Sequence, residues 1–441
     1  MRRRHPRQQF PLGSGDVRRG VWRAAAAALA LAVLAACGSS PDASGPSGTS
    51  GSGQSPAKLT VWFMKDSLSD AIVQRFRTDY ERAHPGVTLD IQIQEWNGIG
   101  QKVTSALASN DAPDVIEVGN TQVAEYAASG GVKDLTDKVA DLGGADWLPG
   151  LAEPGKIDGR QYGIPWYAAN RVVIYNKELF EKAGVTPPKT RDEWLAATAK
   201  LNKGGDQGIY LPGQNWYTLS GFIWDEGGDL AVNEGGRWKG VLDTPQALAG
   251  MDFYRRLQAL GKGPKDSDEA NPPQADVFAK GDVAQIIATP GNATAIVTAN
   301  PDLKDKIGFF PIPGKTADKP GAVFTGGSDL IIPEASRNQD AAYEVVKALA
   351  GEQFQTDMAK EMSYVPNRVS FAGAVQNNEG FTAMAAGAAV GHATPNSPNW
   401  AAVEARNVIK DYMTKALTGG DPAAEARKAS ATITEILNTA S

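Results

Sequence analysis

The alternation of apolar and polar positions predicts a regular series of strands and helices that begins near residue 59. Residues 59–63 (Leu-Thr-Val-Trp-Phe) form a strand-like apolar run, and residues 70–84 carry apolar side chains at helical spacing. Residues 87–93 alternate as a strand does, and a helical run at 99–108 precedes the apolar run 114–118. This order is typical of a parallel sheet covered by helices, whose ligands bind beyond the carboxyl ends of the strands.

The same kind of pattern continues along the rest of the chain. Thr190, with Glu193 three residues later, predicts a capping box at the start of a helix. Further strands are predicted at 163–167, 171–175, 284–288 and 307–311. Further helices are predicted at 177–183, at 339–350 after the apolar run 330–332, and through most of 400–437.

The chain begins with the three parts of an export signal. Arginines are frequent up to Arg23, an apolar stretch rich in Ala and Leu follows, and Leu34-Ala35-Ala36-Cys37 ends it. The last four residues resemble the lipobox of bacterial lipoproteins. That resemblance implies cleavage after residue 36, a lipid on Cys37 and a location on the outer face of the cytoplasmic membrane. The alternative, a permanent transmembrane helix, is disfavoured because the stretch is shorter than the required length of about 20 residues.

Residues 37–57 are predicted to be a tether between this anchor and a large polar domain. After Cys37 they are mostly Ser, Gly, Pro and Thr, which bury too little apolar surface to fold. About 400 residues remain after cleavage, which favours two domains. Since Cys37 is the only cysteine, disulfides cannot stabilise them.

Charge and residue type argue against several classes of function. Without the seven arginines and one aspartate of residues 1–36, the net charge falls from −6 to −12, which disfavours nucleic acid as a partner. The three histidines have no metal-ligand spacing, and prolines precede Gly314-Lys315-Thr316 where a phosphate-binding loop needs N–H donors. Asp225, Glu226 and Asp229 suggest either paired glycosidase carboxylates or a solvated turn, and the turn is favoured. We expect no catalytic residue, cofactor or metal.

Several ordered motifs resemble the extracellular solute-binding proteins of carbohydrate ABC importers, the maltose-binding-protein group. Residues 163–165 (Gly-Ile-Pro), 175–180 (Tyr-Asn-Lys-Glu-Leu-Phe) and 187–194 (Pro-Pro-Lys-Thr-Arg-Asp-Glu-Trp) carry most of the likeness. Residues 326–333 and 364–368 continue it in the same order. The resemblance implies an α/β, two-lobed, periplasmic-binding-protein-like (type II) fold with a hinge and a ligand cleft between the lobes.

By the same resemblance, lobe one is expected at 58–168 and 311–362, and lobe two at 169–310 and 363–441. The first crossing between them would then fall near Ala168-Ala169-Asn170. Closure around a sugar would create the form that the permease recognises.

Ligand contacts are expected where flat aromatic rings and planar polar groups meet the cleft, because sugars offer apolar ring faces and hydroxyl rims. Trp96 is either such a contact or a packed residue. The expected contacts on lobe one and at the crossing are Asp66, Glu95, Asn120, Thr121, Gln122, Trp166, Tyr167, Asn170, Arg171, Gly326, Gly327, Ser328 and Asp329. Those on lobe two are Trp216, Tyr217, Gly291, Asn292 and Trp400, and each of these has core packing as its alternative. The crossing residues Trp166, Tyr167, Asn170 and Arg171 face either the cleft or the hinge.

The sequence therefore predicts a lipid-anchored binding component of an ABC importer, which captures a di- or oligosaccharide and delivers it to permease subunits served by a separate ATPase. It is expected to act as a monomer. The alternatives are a secreted lipoprotein enzyme acting on glycosides and a binder of a non-sugar solute.

Overall fold

The strands and helices are those of a computed structural model, which describes residues 57–65, 67–96, 98–375 and 378–439. Cys37, the predicted signal segment, nearly all of the tether and Asp66 lie outside the described residues. The strands are β1 (Ala57–Met64), β2 (Val87–Gln94), β3 (Val115–Gly119), β4 (Lys156–Ile157), β5 (Arg160–Gln161), β6 (Ile164–Ala168), β7 (Val172–Asn176), β8 (Ala231–Glu234), β9 (Arg237–Gly240), β10 (Gln285–Ala288), β11 (Ile307–Phe310), β12 (Gly327–Ile331) and β13 (Val365–Pro366).

The helices match the predicted ones to within a few residues and add several that the pattern did not predict, including α7, α8 and α12. They are α1 (Asp70–Ala83), α2 (Ile99–Leu107), α3 (Val123–Ala128), α4 (Pro149–Ala152), α5 (Lys177–Lys182), α6 (Arg191–Leu201), α7 (Trp216–Asp225), α8 (Pro245–Gln258), α9 (Gln274–Phe278), α10 (Asn292–Ala299), α11 (Gln339–Leu349), α12 (Glu352–Met362), α13 (Glu379–Ala388), α14 (Trp400–Ala405), α15 (Val408–Leu417) and α16 (Pro422–Leu437). None of the described helices combines the length and apolar character needed to cross a membrane.

A six-stranded sheet in the order β13-β6-β12-β3-β1-β2 forms lobe one. Its strands β2, β1 and β3 are parallel, as the alternation of strands and helices predicts. The expectation of a parallel sheet fails beyond β3, because β12 pairs antiparallel with both β3 and β6. These added strands come from distant parts of the chain, so local periodicity could not reveal their direction.

A three-stranded antiparallel sheet in the order β10-β7-β11 forms lobe two. The chain leaves the first sheet at Ala168 and enters the second at Val172, which is the interval of the expected first crossing.

Two of the expected lobe boundaries need correction. Ile312, Val323 and Phe324, assigned to lobe one, pack in the apolar core of lobe two. Val365 and Pro366, assigned to lobe two, pair with β6 in the lobe-one sheet. Both later crossings therefore lie further along the chain than predicted, because each crossing segment continues to pack against the lobe that it is leaving.

Helix α6 illustrates how local sequence fixes an element in this fold. The Thr190 side chain accepts from the Glu193 N–H, and the Glu193 carboxylate accepts from the Thr190 N–H, so the predicted capping box is present. Such a cap satisfies backbone donors that the first turn leaves unpaired. Trp194 on the first turn is fully buried in the lobe-two core, which fixes the inward face of the helix.

Candidate ligand-binding site

The parallel strands β1, β2 and β3 end along one edge of the lobe-one sheet, which is where ligands of such sheets bind. Trp96 follows β2 and is 44% exposed. Its indole N–H donates to the Lys65 carbonyl after β1, over 3.1 Å. A Cβ added to Gly119, at the end of β3, would lie 3.8 Å from Trp96 Cζ3 and 3.5 Å from Gln122 Oε1. The edge thus presents a partly exposed aromatic ring beside an amide.

Glu95 also lies at this edge, but its side chain points into solvent. It is 69% exposed and pairs with Lys65 Nζ at 2.9 Å. An ion pair this exposed contributes little to stability, so Glu95 is free to reorient towards a ligand.

The short 3₁₀ turn Asn120–Gln122 follows β3 and contacts α14 of lobe two, which makes it the lobe-one side of a candidate cleft. Thr121 and Gln122 are half-buried there. Asn120 is almost fully buried and donates from Nδ2 to the Thr325 carbonyl at 2.9 Å. In this arrangement Asn120 therefore holds the second crossing segment, and Thr121 and Gln122 remain the accessible members of the turn.

Glu117 joins four strand ends beneath this edge. It is fully buried and accepts from the Met64 N–H, Ser67 Oγ and Ser328 Oγ, each at 2.7 Å, and from Tyr167 Oη at 3.0 Å. Burial raises the pKa of Glu117, while these donors oppose the shift by stabilising the charged form. Sequence reasoning missed this residue, although a lone carboxylate in an otherwise apolar strand was a usable signal.

Tyr167 and Ser328 are consequently occupied as partners of Glu117. The Tyr167 ring also stacks on Tyr364 with centroids 4.3 Å apart. Tyr167 and Ser328 are both buried, so they support the strand ends of this edge and offer little surface to a ligand.

The expectation that Trp166 and Asp329 contact ligand is corrected by their burial, since neither exposes any surface. Trp166 lies in the lobe-one core and stacks on Phe63 with centroids 5.2 Å apart. Asp329 points towards Gly163, where an added Cβ would be 2.6 Å from Asp329 Oδ2. Burial raises the pKa of this carboxyl well above its usual value.

Gly326 and Gly327 serve the crossing in place of the expected close approach to ligand. The Gly326 carbonyl accepts from the Ala169 N–H at 2.9 Å. A Cβ on Gly327 would lie 2.0 Å from the Tyr167 carbonyl oxygen, so only glycine permits β12 to pair this closely with β6.

The expected aromatic platform of lobe two is mostly enclosed. Trp400 is fully buried, and its centroid lies 6.4 Å from that of Trp216, which is 6% exposed. The prediction of Trp400 as a stacking surface is therefore replaced by its packing alternative. Its indole N–H donates to Glu404 Oε1 at 2.6 Å.

Tyr217 is held between the two crossing segments. Its ring stacks on Phe324 of the second crossing at 4.7 Å, and the guanidinium of Arg171 from the first crossing lies 4.4 Å from the ring centroid. Arg171 also forms an ion pair with Glu269. Asn170 beside it is fully buried, so it too is a hinge residue and offers no surface to a ligand here.

Gly291 and Asn292 follow β10 at the hinge end of the lobe-two sheet, because Ala288 pairs with Val172. Gly291 is exposed and Asn292 half-buried. Asn292 Nδ2 donates to Thr289 Oγ1 at 3.1 Å, which leaves its amide oxygen as the group able to face a ligand.

The acidic turn weighed as a glycosidase pair has a structural role. Arg191 Nη1 lies 2.8 Å from Glu226 Oε1, and Arg191 Nη2 lies 2.9 Å from Asp225 Oδ2. Within the described ranges, no cluster of His, Cys, Asp and Glu side chains could hold a metal ion.

Comparison with known proteins identifies the family. The family model of the bacterial extracellular solute-binding proteins matches residues 65–356. The diacetylchitobiose-binding protein DasA of Streptomyces coelicolor is 39% identical over 398 residues, which cover 90% of this chain and 93% of that protein. The chain belongs to the bacterial extracellular solute-binding proteins. As a member of this family it is an exported binding protein and not an enzyme.

Solved structures confirm the two-lobed fold of this solute-binding protein. The sugar-binding protein MalE of Xanthomonas citri superposes with a TM-score of 0.78 at 24% identity, over 86% of this chain and 97% of its own. The GacH receptor of Streptomyces glaucescens, solved unliganded and with acarbose, gives a TM-score of 0.74 at 25% identity over 87% and 99%. The expected α/β type II fold is therefore confirmed.

Proposed function

We propose that this solute-binding protein is the lipid-anchored receptor of an ABC importer and that it captures a disaccharide of the N-acetylglucosamine type. The observation that carries the proposal is the 39% identity, over 90% of the chain, with a protein named for binding diacetylchitobiose.

The chemistry of the lobe-one edge supports a neutral, ring-shaped ligand. Trp96 offers an apolar face, and Thr121 and Gln122 offer uncharged donors and acceptors. A cleft for amino acids, polyamines or iron would need charged anchors, whereas the turn facing α14 carries none.

In this proposal the sugar binds between the Trp96 edge and α14, and the lobes close around it. Closure requires that the sugar bind the closed form more tightly than the open form. A ligand bound equally by both forms does not change the equilibrium between them. The closed form then docks on the permease, while a lipid on Cys37 and the tether keep the monomeric receptor beside the membrane.

A thermal-shift screen of the mature chain tests the ligand class. N,N′-diacetylchitobiose, cellobiose, maltose, a polyamine and an amino-acid mixture are added in turn. A ligand at about 100 times its Kd adds about 2.7 kcal/mol to the free energy of unfolding, and we expect the largest shift with N,N′-diacetylchitobiose. A rise in melting temperature with the charged compounds alone would show that the ligand is a non-sugar solute. If no saccharide raises the melting temperature, the proposal is refuted.

A further inference from the structure

Glu404 occupies an unusual place on the lobe-two side of the candidate cleft. It lies one turn after Trp400 in α14, and this helix contacts the lobe-one turn Asn120–Gln122. The Trp400 N–H binds Oε1 over 2.6 Å, which fixes the orientation of the carboxyl group. Glu404 is thus held in position on a lobe-two helix that contacts the lobe-one turn.

The carboxyl group borders a small cavity and is paired with no cation among the described ion pairs. Trp216, Asn407 and Lys410 border the same cavity. Lys410 is bound to Asp268 at 2.9 Å, so its charge is already matched. Glu404 is half-buried, and a carboxylate in such a place is stabilised by further donors, which a sugar in the cleft would supply.

We propose that Glu404 is a specificity-determining residue of the sugar site and accepts a hydrogen bond from a hydroxyl or amide N–H of the bound saccharide. This inference rests on the proposed function, since it needs a sugar in the cleft. It differs from the aromatic platform expected there, because the contact is made by a carboxylate that the Trp400 N–H orients.

The proposal has a pH signature. Burial raises the pKa of Glu404 to about 7, and the Trp400 N–H offsets only part of that shift. A donor from the sugar favours the charged carboxylate, so binding lowers this pKa and releases a proton near neutral pH. Affinity should accordingly rise as the pH increases through 7.

The other ionisable groups of this region do not produce that signature. Burial raises the pKa of Tyr217, so the phenol stays neutral across this range. The bond to Lys410 lowers the pKa of Asp268, so that carboxylate stays charged. Arg171 and Glu269, whose charges act on Tyr217, form an ion pair with each other, and the lobe-one turn is uncharged.

Isothermal titration calorimetry of the wild-type chain and Glu404→Gln tests the inference, with N,N′-diacetylchitobiose, cellobiose and maltose as probes. Titrations run from pH 5.5 to 8.5 in buffers of different ionisation enthalpy, which reports proton release. At pH 8 we expect Glu404→Gln to bind about tenfold to hundredfold more weakly than wild type, with no proton release and a flat pH profile. The exposed Glu234→Gln is the matched control and should behave as wild type.

Each outcome separates the inference from the proposed function. Equal affinity and equal pH profiles for wild type and Glu404→Gln would overturn the role of Glu404 and leave the sugar receptor standing. Binding of maltose or cellobiose alone, weakened by Glu404→Gln, would support Glu404 and refute the N-acetylglucosamine assignment. Binding of none of the three probes would refute both. Glu404→Asp keeps the charge, so it should retain proton release at reduced affinity, and its melting curve checks the fold.

Discussion

Replacing Trp96 with alanine should weaken sugar binding measurably, because this ring is the exposed aromatic surface of the lobe-one edge. A Trp side chain offers roughly 250 Å² of surface, so its 44% exposure leaves about 110 Å² uncovered. A sugar covers one face of the ring, about half of that area. At about 25 cal/mol per Å², the loss is about 1.4 kcal/mol, or roughly a tenfold increase in Kd.

Calorimetry with N,N′-diacetylchitobiose measures this change, and a thermal melt of the same sample reports the stability lost with the buried part of the ring. Val369→Ala is the matched control: Val369 is 55% exposed and follows β13, at the opposite end of the sheet from β2. The reasoning is refuted if Trp96→Ala binds the sugar as tightly as Val369→Ala does.

Three further changes test other parts of the account. Trp166→Ala should lower the free energy of unfolding by about 3–5 kcal/mol in urea titrations, because the ring fills the lobe-one core; a change under about 1 kcal/mol would contradict its placement there. Asp329 has a folded-state pKa raised by burial, so its contribution to stability is present below about pH 4 and is lost as the pH rises through the folded pKa. Asp329→Asn should therefore melt at a higher temperature than wild type at pH 8, and the difference in melting temperature should disappear towards pH 4. A difference that does not change with pH would contradict the raised pKa of Asp329. Cys37→Ser should move the protein from the membrane fraction to the soluble fraction without altering sugar affinity, and retention in the membrane would argue against a lipid anchor.

Local patterns in the sequence predicted the elements well because each depends on neighbours in the chain. The Thr190–Glu193 capping box can be read from four letters, and the parallel trio β2-β1-β3 follows from alternating strands and helices. The insertion of β12 between β3 and β6 depends on residues that are far apart in sequence. The hydrophobic periodicity within one segment does not indicate which distant strand that segment pairs with.

Burial limited the prediction of the site in the same way. Trp166 lies in β6 and Trp96 follows β2, both in lobe one. Trp96 is nevertheless 44% exposed, whereas Trp166 is fully buried. The difference arises from Phe63 and Phe354, which flank Trp166 from other parts of the chain. Glu404 was missed because its significance comes from the lobe-one turn opposite α14, which its own helix does not reveal.

A crystal structure of the mature chain grown with N,N′-diacetylchitobiose tests the central claim most directly, that this receptor binds sugar between its lobes. We predict density for the disaccharide between the Trp96 edge and α14, with a sugar ring on the indole and a donor within hydrogen-bond distance of Glu404. Sugar density away from this cleft, or an empty cleft at saturating disaccharide, would contradict the account.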